Sequence, residues 1–264
     1  MKRIGDKTFW ITGASSGIGE ALAYELSKLG CTLVISARKE EHLVIVKNKC
    51  AYPERVHVVP LDLVDYKEMD TVVHKAISIL GHVDVLINNA GISQRALIME
   101  TDVEVFKKLM DINYLGTIAL TKAILPHFIN KRKGHFVTVT SLMGKFGSPY
   151  RSGYCGAKHA LHGFFDVLRM EHEKDGIDVT IICPGFVNTK VAINALTGNG
   201  KRQLSNDTAT EKGMDPAIFA KKMIKAINQR KFEAYIGKTE VMGVYLKRFM
   251  PKLLHSVVLK SKVR

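Results

Sequence analysis

The sequence predicts a single-domain α/β fold in which about seven parallel strands form a doubly wound sheet with helices on both faces. Three observations support this prediction: continuously apolar, strand-like runs, helical patterns of ten or more residues between them, and no internal repeat or linker along 264 residues. Parallel strands that are covered on both faces have nearly continuous apolar sequences. An α/β chain of about 250 residues commonly folds as one unit.

The predicted elements alternate along the chain. Strands are expected at residues 8–12, 32–36, 56–61, 83–87, 135–140, 178–183 and 233–236. Helices are expected at 17–29, 39–51, 65–80, 102–130, 152–174 and 215–229, where apolar residues recur at helical spacing. Residues 186–214 lack clear periodicity and are expected to form a mobile insertion.

Charge and cysteine content narrow the classes of partner and compartment. Thirty-nine Lys and Arg residues against 25 Asp and Glu give a formal net charge of +14, which favours nucleotides, nucleic acid or an acidic membrane surface. A mean hydropathy of +0.02 excludes an intrinsically disordered chain. Four widely spaced cysteines indicate a reducing compartment. Because the polar start does not match a signal peptide, we expect a cytoplasmic protein.

A glycine-rich turn, TGASSGIG at residues 12–19, separates the first predicted strand from the first predicted helix. Glycines there allow a tight turn and a close approach of backbone to a diphosphate, which binds the N–H groups at the helix N-terminus. We expect this turn to bind a dinucleotide cofactor through Gly13, Ser15, Ser16, Gly17, Ile18 and Gly19.

The same residues also match GxSxG, the nucleophile elbow of α/β hydrolases, with Ser15 as the nucleophile. That elbow needs earlier strands around it and an upstream oxyanion loop, and here the motif follows the first strand. Hydrolysis is therefore the less favoured alternative.

The residues after the second predicted strand select the cofactor. An acid about twenty residues after a glycine turn binds a ribose 2′-hydroxyl, whereas a base accommodates a 2′-phosphate. Here the strand is followed by Ala37, Arg38 and Lys39, with no acid before Glu40. Because Arg38 can form paired hydrogen bonds with a phosphate, we expect NADP rather than NAD. The alternative is that Arg38 is simply a solvated residue at a helix start.

The glycine turn, NNAG at residues 88–91 and YCGAK at residues 154–158 together resemble the short-chain dehydrogenase/reductase family. The resemblance runs from about residue 8 to residue 236 and implies a Rossmann fold and NADP(H)-dependent oxidoreductase activity. It implies that the cofactor also contacts Asp62, Leu63, Asn89, Ala90, Gly91, Pro184, Gly185, Val187 and Thr189. It implies a catalytic set of Asn113, Ser141, Tyr154 and Lys158.

The spacing of this set suits proton transfer. Tyr154 and Lys158 lie at i and i+4, so both side chains share one helix face. We expect the neighbouring ammonium to lower the phenol pKa, and Lys158 to hold the nicotinamide ribose as well. Ser141 is expected to bind the substrate oxygen and Asn113 a water. No metal is expected, because His159 and His162 lack an accompanying ligand set.

The substrate is expected to be a small-molecule carbonyl or alcohol in an apolar pocket. Its determinants should lie between Ser141 and Tyr154 and in the 186–214 insertion. The apolar candidates are Leu142, Met143, Phe146, Tyr150, Phe186, Val187, Ala192, Ile193 and Leu196. Met143 is assigned to substrate binding with Ser141 and Tyr154, and the open alternative is that these residues only pack the segments.

Residues 1–237 form the dinucleotide-binding and catalytic domain in this scheme, and residues 238–264 form a basic amphipathic C-terminal extension with a net charge of +6. Its apolar stripes are Val241, Val244, Tyr245, Phe249, Leu253, Leu254, Val257 and Val258, flanked by Lys247, Arg248, Lys252, Lys260, Lys262 and Arg264. Such a segment can lie on an anionic bilayer. The rival is a tail that folds back over a subunit interface or the substrate mouth.

Two further expectations concern partners. The long helices near 102–130 and 152–174 match the surfaces through which this family forms dimers and tetramers, so we expect a homodimer or homotetramer. No nucleic acid is expected, since basic and aromatic residues are not interleaved. The alternative function is a non-catalytic NADP-sensing or nucleic-acid-binding regulator on the same fold, against which the intact catalytic set argues.

Overall fold

The computed structural model describes residues 4–261, which form a seven-stranded parallel sheet between two layers of helices. The strands are β1 (Thr8–Thr12), β2 (Thr32–Ser36), β3 (Val56–Val58), β4 (Val85–Asn88), β5 (Gly134–Val139), β6 (Ile177–Pro184) and β7 (Glu233–Ile236). Their order is β3-β2-β1-β4-β5-β6-β7, and every paired neighbour is parallel. The predicted doubly wound fold is confirmed. The strand order reverses between β1 and β4, the position where such sheets bind ligands.

The helices cover the sheet on both sides. They are α1 (Gly17–Lys28), α2 (Glu40–Asn48), α3 (Met69–Leu80), α4 (Val103–Met110), α5 (Gly116–Asn130), α6 (Ser152–Glu171), α7 (Thr208–Glu211), α8 (Pro216–Asn228), α9 (Met242–Phe249) and α10 (Pro251–Lys260). Phe9 and Ile11 of β1 pack with α1, α2 and α8 on one face. Trp10 packs with α3, α5 and α6 on the other face, because successive strand residues point to opposite sides.

Several predicted elements have other bounds in the structure: α2 ends at Asn48 instead of residue 51, α3 begins at Met69 instead of residue 65, β4 begins at Val85 instead of residue 83, and α6 ends at Glu171 instead of residue 174. The helix expected over 102–130 is divided into α4 and α5 by a π-helical turn, Asp111–Leu115, which buries Asn113. Such insertions are frequent at functional sites. The third strand ends at Val58 instead of residue 61. The N–H groups of Val59 and Leu61 still donate to β2 and the residue that follows it.

The 186–214 segment is irregular but packed, and this differs from the expected mobile insertion. Its buried apolar residues are Val187, Ala192, Ala195, Leu196 and Met214. The N–H of Leu196 donates to Ser93 O and the N–H of Arg95 donates to Leu196 O. These bonds fasten the segment to the turn after β4.

The C-terminal extension folds into α9 and α10, of which one face packs on the body of the protein. Gly243 lies so close to Phe146 that a Cβ atom would approach the ring to 2.7 Å, and Leu254 is buried. Tyr245, Phe249 and other apolar residues remain exposed on the opposite side. Lys262 and Arg264 lie outside the described residues. Among the described helices, none has both the length and the apolar character that crossing a bilayer requires.

Candidate active site

The glycine turn after β1 has the backbone shape that a diphosphate site needs. Gly13 and Gly17 have φ values of 66° and 61°, in the left-handed region that favours glycine. A Cβ atom on Gly13 would lie 2.7 Å from Ala90 Cα. The side chain of Ser16, the N-cap of α1, makes no capping hydrogen bond, so it leaves the N–H groups of the first turn to another acceptor.

Thr12 joins the glycine turn to the NNAG turn after β4. Its hydroxyl oxygen accepts hydrogen bonds from the N–H groups of Asn89 at 3.0 Å and Ala90 at 3.1 Å, and the hydroxyl donates to Ile87 O at 3.3 Å. The Asn89 amide donates to Thr12 O at 2.9 Å and to Gly13 O at 3.2 Å. The two turns therefore form one rigid floor at the point where the strand order reverses.

The segment after β6 closes the opposite side of this floor. Pro184 ends β6, and the N–H of Gly185 donates to Ile236 O at 2.9 Å. A Cβ atom on Gly17 would lie 3.1 Å from Thr189 Cγ2, so Thr189 lies directly over the glycine turn. The structure thus places Thr189, a predicted cofactor contact after β6, next to Gly17, a predicted cofactor contact after β1. Val187 is buried and has a packing role here.

The residues predicted to contact the adenosine end lie beyond β2 and β3. The N–H of Ala14 donates to Ser36 O at 3.1 Å, so the end of β2 lies beside the glycine turn. Arg38 follows it and is exposed, and within residues 4–261 no carboxylate oxygen lies within 4.0 Å of its guanidinium nitrogens. Asp62 is exposed and accepts from Val64 N, whereas Leu63 is buried against Gly116. The cradle of glycines fits a dinucleotide, and the selection of a 2′-phosphate by Arg38 stays a prediction.

The predicted catalytic side chains converge between β5 and α6. Lys158 Nζ lies 5.9 Å from the centroid of the Tyr154 ring and donates to Val139 O at 2.8 Å. Ser141 lies close enough to Tyr154 to lower the pKa of its phenol, and Ser141 Oγ accepts from Met143 N at 3.1 Å. A Cβ atom on Gly91 would lie 3.5 Å from Lys158 Nζ and 2.8 Å from Asn113 Oδ1. The floor and the catalytic set therefore share one crevice.

Asn113 uses its side chain to fix the backbone after the NNAG turn. Its Oδ1 accepts from Ile92 N at 2.8 Å and its Nδ2 donates to Ile92 O at 2.9 Å. The π-helical turn places this fully buried amide there. Both amide groups are engaged by Ile92, and the expected contact with a water stays a prediction.

Burial controls the ionisation of both proton-transfer groups. Desolvation raises the pKa of Tyr154, and the hydrogen bond with Ser141 and the charges of Arg95 and Arg151 oppose that effect. Desolvation also lowers the pKa of Lys158 to about 8. Burial is the largest influence on the Tyr154 pKa and the cations that oppose it are Arg95 and Arg151, so the expected effect of the Lys158 ammonium stays a prediction.

The apolar residues expected to bind substrate divide into two groups. Leu142, Phe146, Val187, Ala192 and Leu196 are buried and pack the segments. Met143, Tyr150, Phe186 and Ile193 are partly exposed and remain candidates for substrate contact. Leu196 packs against Tyr154 together with Val105 and Leu109, so the 186–214 segment covers one side of the phenol ring.

Sequence reasoning missed Glu240, at the start of the extension. Its Oε1 accepts from Phe186 N at 3.0 Å, and a Cβ atom on Gly237 would lie 2.8 Å from it. A Cβ atom on Gly185 would also clash with this carboxylate. Glu240 therefore fixes the start of the segment that closes the floor. No local motif marks it, because its partner is 54 residues away.

A second missed group consists of His162, Cys183 and Glu233, whose possible ligand atoms all lie within 4.8 Å of one another. Glu233 already pairs with Lys145 Nζ at 2.7 Å and accepts from the Tyr235 hydroxyl at 2.7 Å. Burial raises the pKa of the Cys183 thiol, which disfavours the thiolate that a metal needs. The geometry therefore favours an ion-paired network behind Lys158, and the absence of a metal stays a prediction.

Comparisons with known proteins agree with this geometry. The family model described as short chain dehydrogenase matches residues 7–200. The chain belongs to the short-chain dehydrogenase/reductase family, a family of oxidoreductases.

Two relatives illustrate the likeness in sequence. The chain is 40% identical to dehydrogenase/reductase SDR family member 7 of Homo sapiens over 93% of this chain and 75% of that protein. It is 38% identical to dehydrogenase/reductase SDR family member 7B of Xenopus tropicalis over 95% of this chain and 84% of that protein.

Solved structures share the fold. A short-chain dehydrogenase from Streptomyces avermitilis superimposes with a TM-score of 0.80 at 27% identity, covering 96% of this chain and 97% of that chain. A short chain dehydrogenase/reductase from Burkholderia phymatum, solved in complex with NAD, gives a TM-score of 0.84 at 22% identity and covers 96% of each chain.

The left-handed glycine at position 13 gives a direct test of the floor. Gly13→Ala forces an L residue to a φ of 66° and places Cβ against Ala90. We expect the dissociation constant for NADPH, measured by fluorescence titration, to rise about tenfold or more. Gly163→Ala is the matched control, because nothing lies within 4 Å of its Cβ position. Equal affinities of the two variants would contradict this description of the floor.

Proposed function

We propose that the chain is an NADP(H)-dependent oxidoreductase that transfers hydride between the nicotinamide and an apolar carbonyl compound or secondary alcohol. The observation that carries the proposal is the convergence of Tyr154, Ser141 and Lys158 beside Gly91 at the dinucleotide floor. A proton-transfer group and a cofactor floor in one crevice are what a hydride-transfer reaction requires.

Each side chain has a defined task in this proposal. The bound cofactor supplies or accepts the hydride. Ser141 and Tyr154 hold the substrate oxygen between two hydroxyl groups. During reduction the Tyr154 hydroxyl donates its proton to that oxygen, and during oxidation the phenolate takes the proton from the alcohol. Lys158, fixed by Val139 O, holds the nicotinamide ribose and carries an exchangeable proton, since its pKa is about 8.

The proposed substrate is apolar because the predicted pocket residues that stay partly exposed are apolar or aromatic: Met143, Tyr150, Phe186 and Ile193. Pockets of this kind orient a ligand with few polar groups and bind the rest by burial. The polar pair Ser141 and Tyr154 then selects the carbonyl or hydroxyl group.

Replacement of the phenol hydroxyl tests the reaction. We expect Tyr154→Phe to lower kcat for carbonyl reduction by about 100-fold or more, because general acid catalysis contributes about 10²–10⁴-fold. The measurement is NADPH oxidation with a panel of apolar carbonyl compounds, together with the NADPH dissociation constant. Wild-type chain that binds NADPH but turns over no compound would instead favour the alternative, an NADP-sensing or nucleic-acid-binding regulator. Turnover unchanged in Tyr154→Phe would contradict the mechanism.

The exposed cation beyond β2 supports the choice of NADP. Arg38 can approach a 2′-phosphate with a planar pair of donors. We expect Arg38→Glu to weaken NADPH binding about tenfold or more and to leave NADH binding unchanged or stronger. Lys49→Glu makes the same charge change at another exposed position and is the control. A parallel fall in affinity for both cofactors would contradict the role of Arg38.

We also propose that the extension contacts an anionic membrane surface. Exposed Tyr245, Phe249, Leu253, Val257 and Leu259 accompany Lys247, Arg248, Lys252 and Lys260 on α9 and α10. Apolar side chains can enter the interface while lysines bind anionic lipid headgroups. Another face of the extension packs on the body of the protein next to Phe146. For that face, the alternative of a tail that folds back on the protein applies.

Liposome sedimentation tests the membrane contact without removing the packed face. The double change of Phe249→Ser and Leu253→Ser is expected to weaken binding to anionic liposomes about tenfold or more, because it removes two exposed apolar side chains. Leu204→Ser, at an equally exposed position outside the extension, is the control. Equal sedimentation of the double variant, the control and the unaltered chain would contradict the proposal.

A homodimer or homotetramer through α4, α5 and α6 is proposed from the family. Val103, Leu115, Val167 and Met170 are exposed on or beside these helices and offer apolar contact. A monomeric mass in analytical ultracentrifugation would contradict this assembly.

A further inference from the structure

A buried cluster of charges lies beside Tyr154. Arg95, Arg151 and Asp207 are each at least 95% buried. Arg95 donates from Nε at 2.9 Å and from Nη2 at 2.6 Å to Asp207 Oδ2, and Arg151 Nη2 donates to the same oxygen at 3.3 Å. The three groups together carry a formal charge of +1.

This cluster is an unusual way to stabilise a fold. Taking charges out of water costs free energy that their mutual attraction often fails to recover, so well-packed apolar residues would commonly serve stability better. Buried charges are better explained by a role in specificity or positioning, and this cluster lies where the proposed chemistry takes place.

The cluster joins three segments that surround Tyr154. Arg95 belongs to the turn after β4, Arg151 directly precedes α6, and Asp207 belongs to the 186–214 segment. Two further hydrogen bonds connect the turn after β4 with the start of α6. Gln94 Oε1 accepts from Gly153 N at 2.8 Å, and Tyr150 O accepts from Ala96 N at 3.1 Å. Tyr154 is three residues from Arg151, so the cluster determines where the first turn of α6 presents the phenol.

Backbone strain supports the same assignment. Tyr150 has a φ of 67°, in the left-handed region that an aromatic residue seldom adopts. Strain of this kind persists only where the surrounding structure enforces it, and it is concentrated at functional sites. The strained residue lies directly before Arg151.

The charged and titratable groups that act on the Tyr154 hydroxyl come from three elements. They are Ser141 after β5, Cys155 on α6, Arg95 after β4 and Arg151 before α6. Lys158, also on α6, lies 5.9 Å from the centroid of the phenol ring. Ser141 stabilises the phenolate by a hydrogen bond, and the two arginines stabilise it by charge. Burial brings the pKa of Lys158 to about 8, so this lysine loses its proton above that pH.

We propose that Arg95 and Arg151, anchored by Asp207, are positioning residues that fix the first turn of α6 and favour the Tyr154 phenolate by their positive charge. The proposal rests on the role of Tyr154 as the general acid/base and assigns the control of its acidity to groups outside the tyrosine–lysine pair. Asp207 has two tasks: it anchors both guanidinium groups and limits how far their charge acts on the phenol.

Opposite charge changes separate this role from a purely structural one. In alcohol oxidation the phenolate is the base, so kcat/KM rises with pH through the pKa of Tyr154. In Arg95→Met and Arg151→Met we expect this rise to move to higher pH by about one unit, because a nearby positive charge is lost. In Asp207→Asn we expect a smaller movement in the opposite direction. Arg169→Met removes a largely buried arginine elsewhere on α6 and should leave the rise in place.

Further measurements keep the test decisive. Ultraviolet titration of phenolate absorbance, compared with the same variant carrying Tyr154→Phe, reports the ionisation of Tyr154 without turnover. If a methionine variant does not fold, Arg95→Lys keeps the charge and loses the planar pair of donors. It should retain the pH dependence and lose about tenfold in kcat, since misplacement of a reacting group lowers rates steeply.

Unchanged pH dependence in the folded Arg95→Met and Arg151→Met variants and in Asp207→Asn would overturn the proposal. So would movement in the same direction for both charge changes. A failure of the proposed function itself is distinguishable, since Tyr154→Phe would then retain turnover.

Discussion

The rest of the site depends on the three hydrogen bonds that the Thr12 hydroxyl makes. It accepts from two N–H groups of the NNAG turn and donates to β4, and so it closes the gap between the two strands where the sheet order reverses. That gap is where the strand order of a doubly wound sheet leaves a crevice. Without the bond, the two turns would face each other with unpaired backbone donors, at a cost of about 1–3 kcal/mol for each buried group. The glycine turn, with Gly13 against Ala90, takes its position from this joint.

The catalytic side chains depend on the same joint through a short chain of contacts. Gly91 leads from the NNAG turn to Asn113 and Lys158, and Asn113 in turn fixes the backbone at Ile92. From there the chain continues to the turn that carries Arg95, which meets Asp207 and the start of α6. The floor, the pair of Tyr154 and Lys158, and the 186–214 segment are therefore connected by successive contacts. A substitution that displaces the floor is therefore expected to displace Tyr154 as well.

Much of this arrangement was predictable from the sequence, for identifiable physical reasons. The strands were predictable because both faces of the sheet are buried, and the turns because glycine and asparagine motifs follow strand ends. The π-helical turn at Asn113 was missed, since one extra residue hardly alters an apolar pattern. The cluster of Arg95, Arg151 and Asp207 was also missed, because its members are up to 112 residues apart and each resembles an ordinary surface charge. The effect of burial on Tyr154 likewise required the packed structure.

The most direct test of the account is the affinity for NADPH of Thr12→Val, measured by titration calorimetry. Valine keeps the shape and the strand preference of threonine and removes only the hydroxyl. The account predicts a dissociation constant about tenfold or more above that of the unaltered chain, because three hydrogen bonds that align the floor are lost. A folded Thr12→Val protein with unchanged affinity would contradict it.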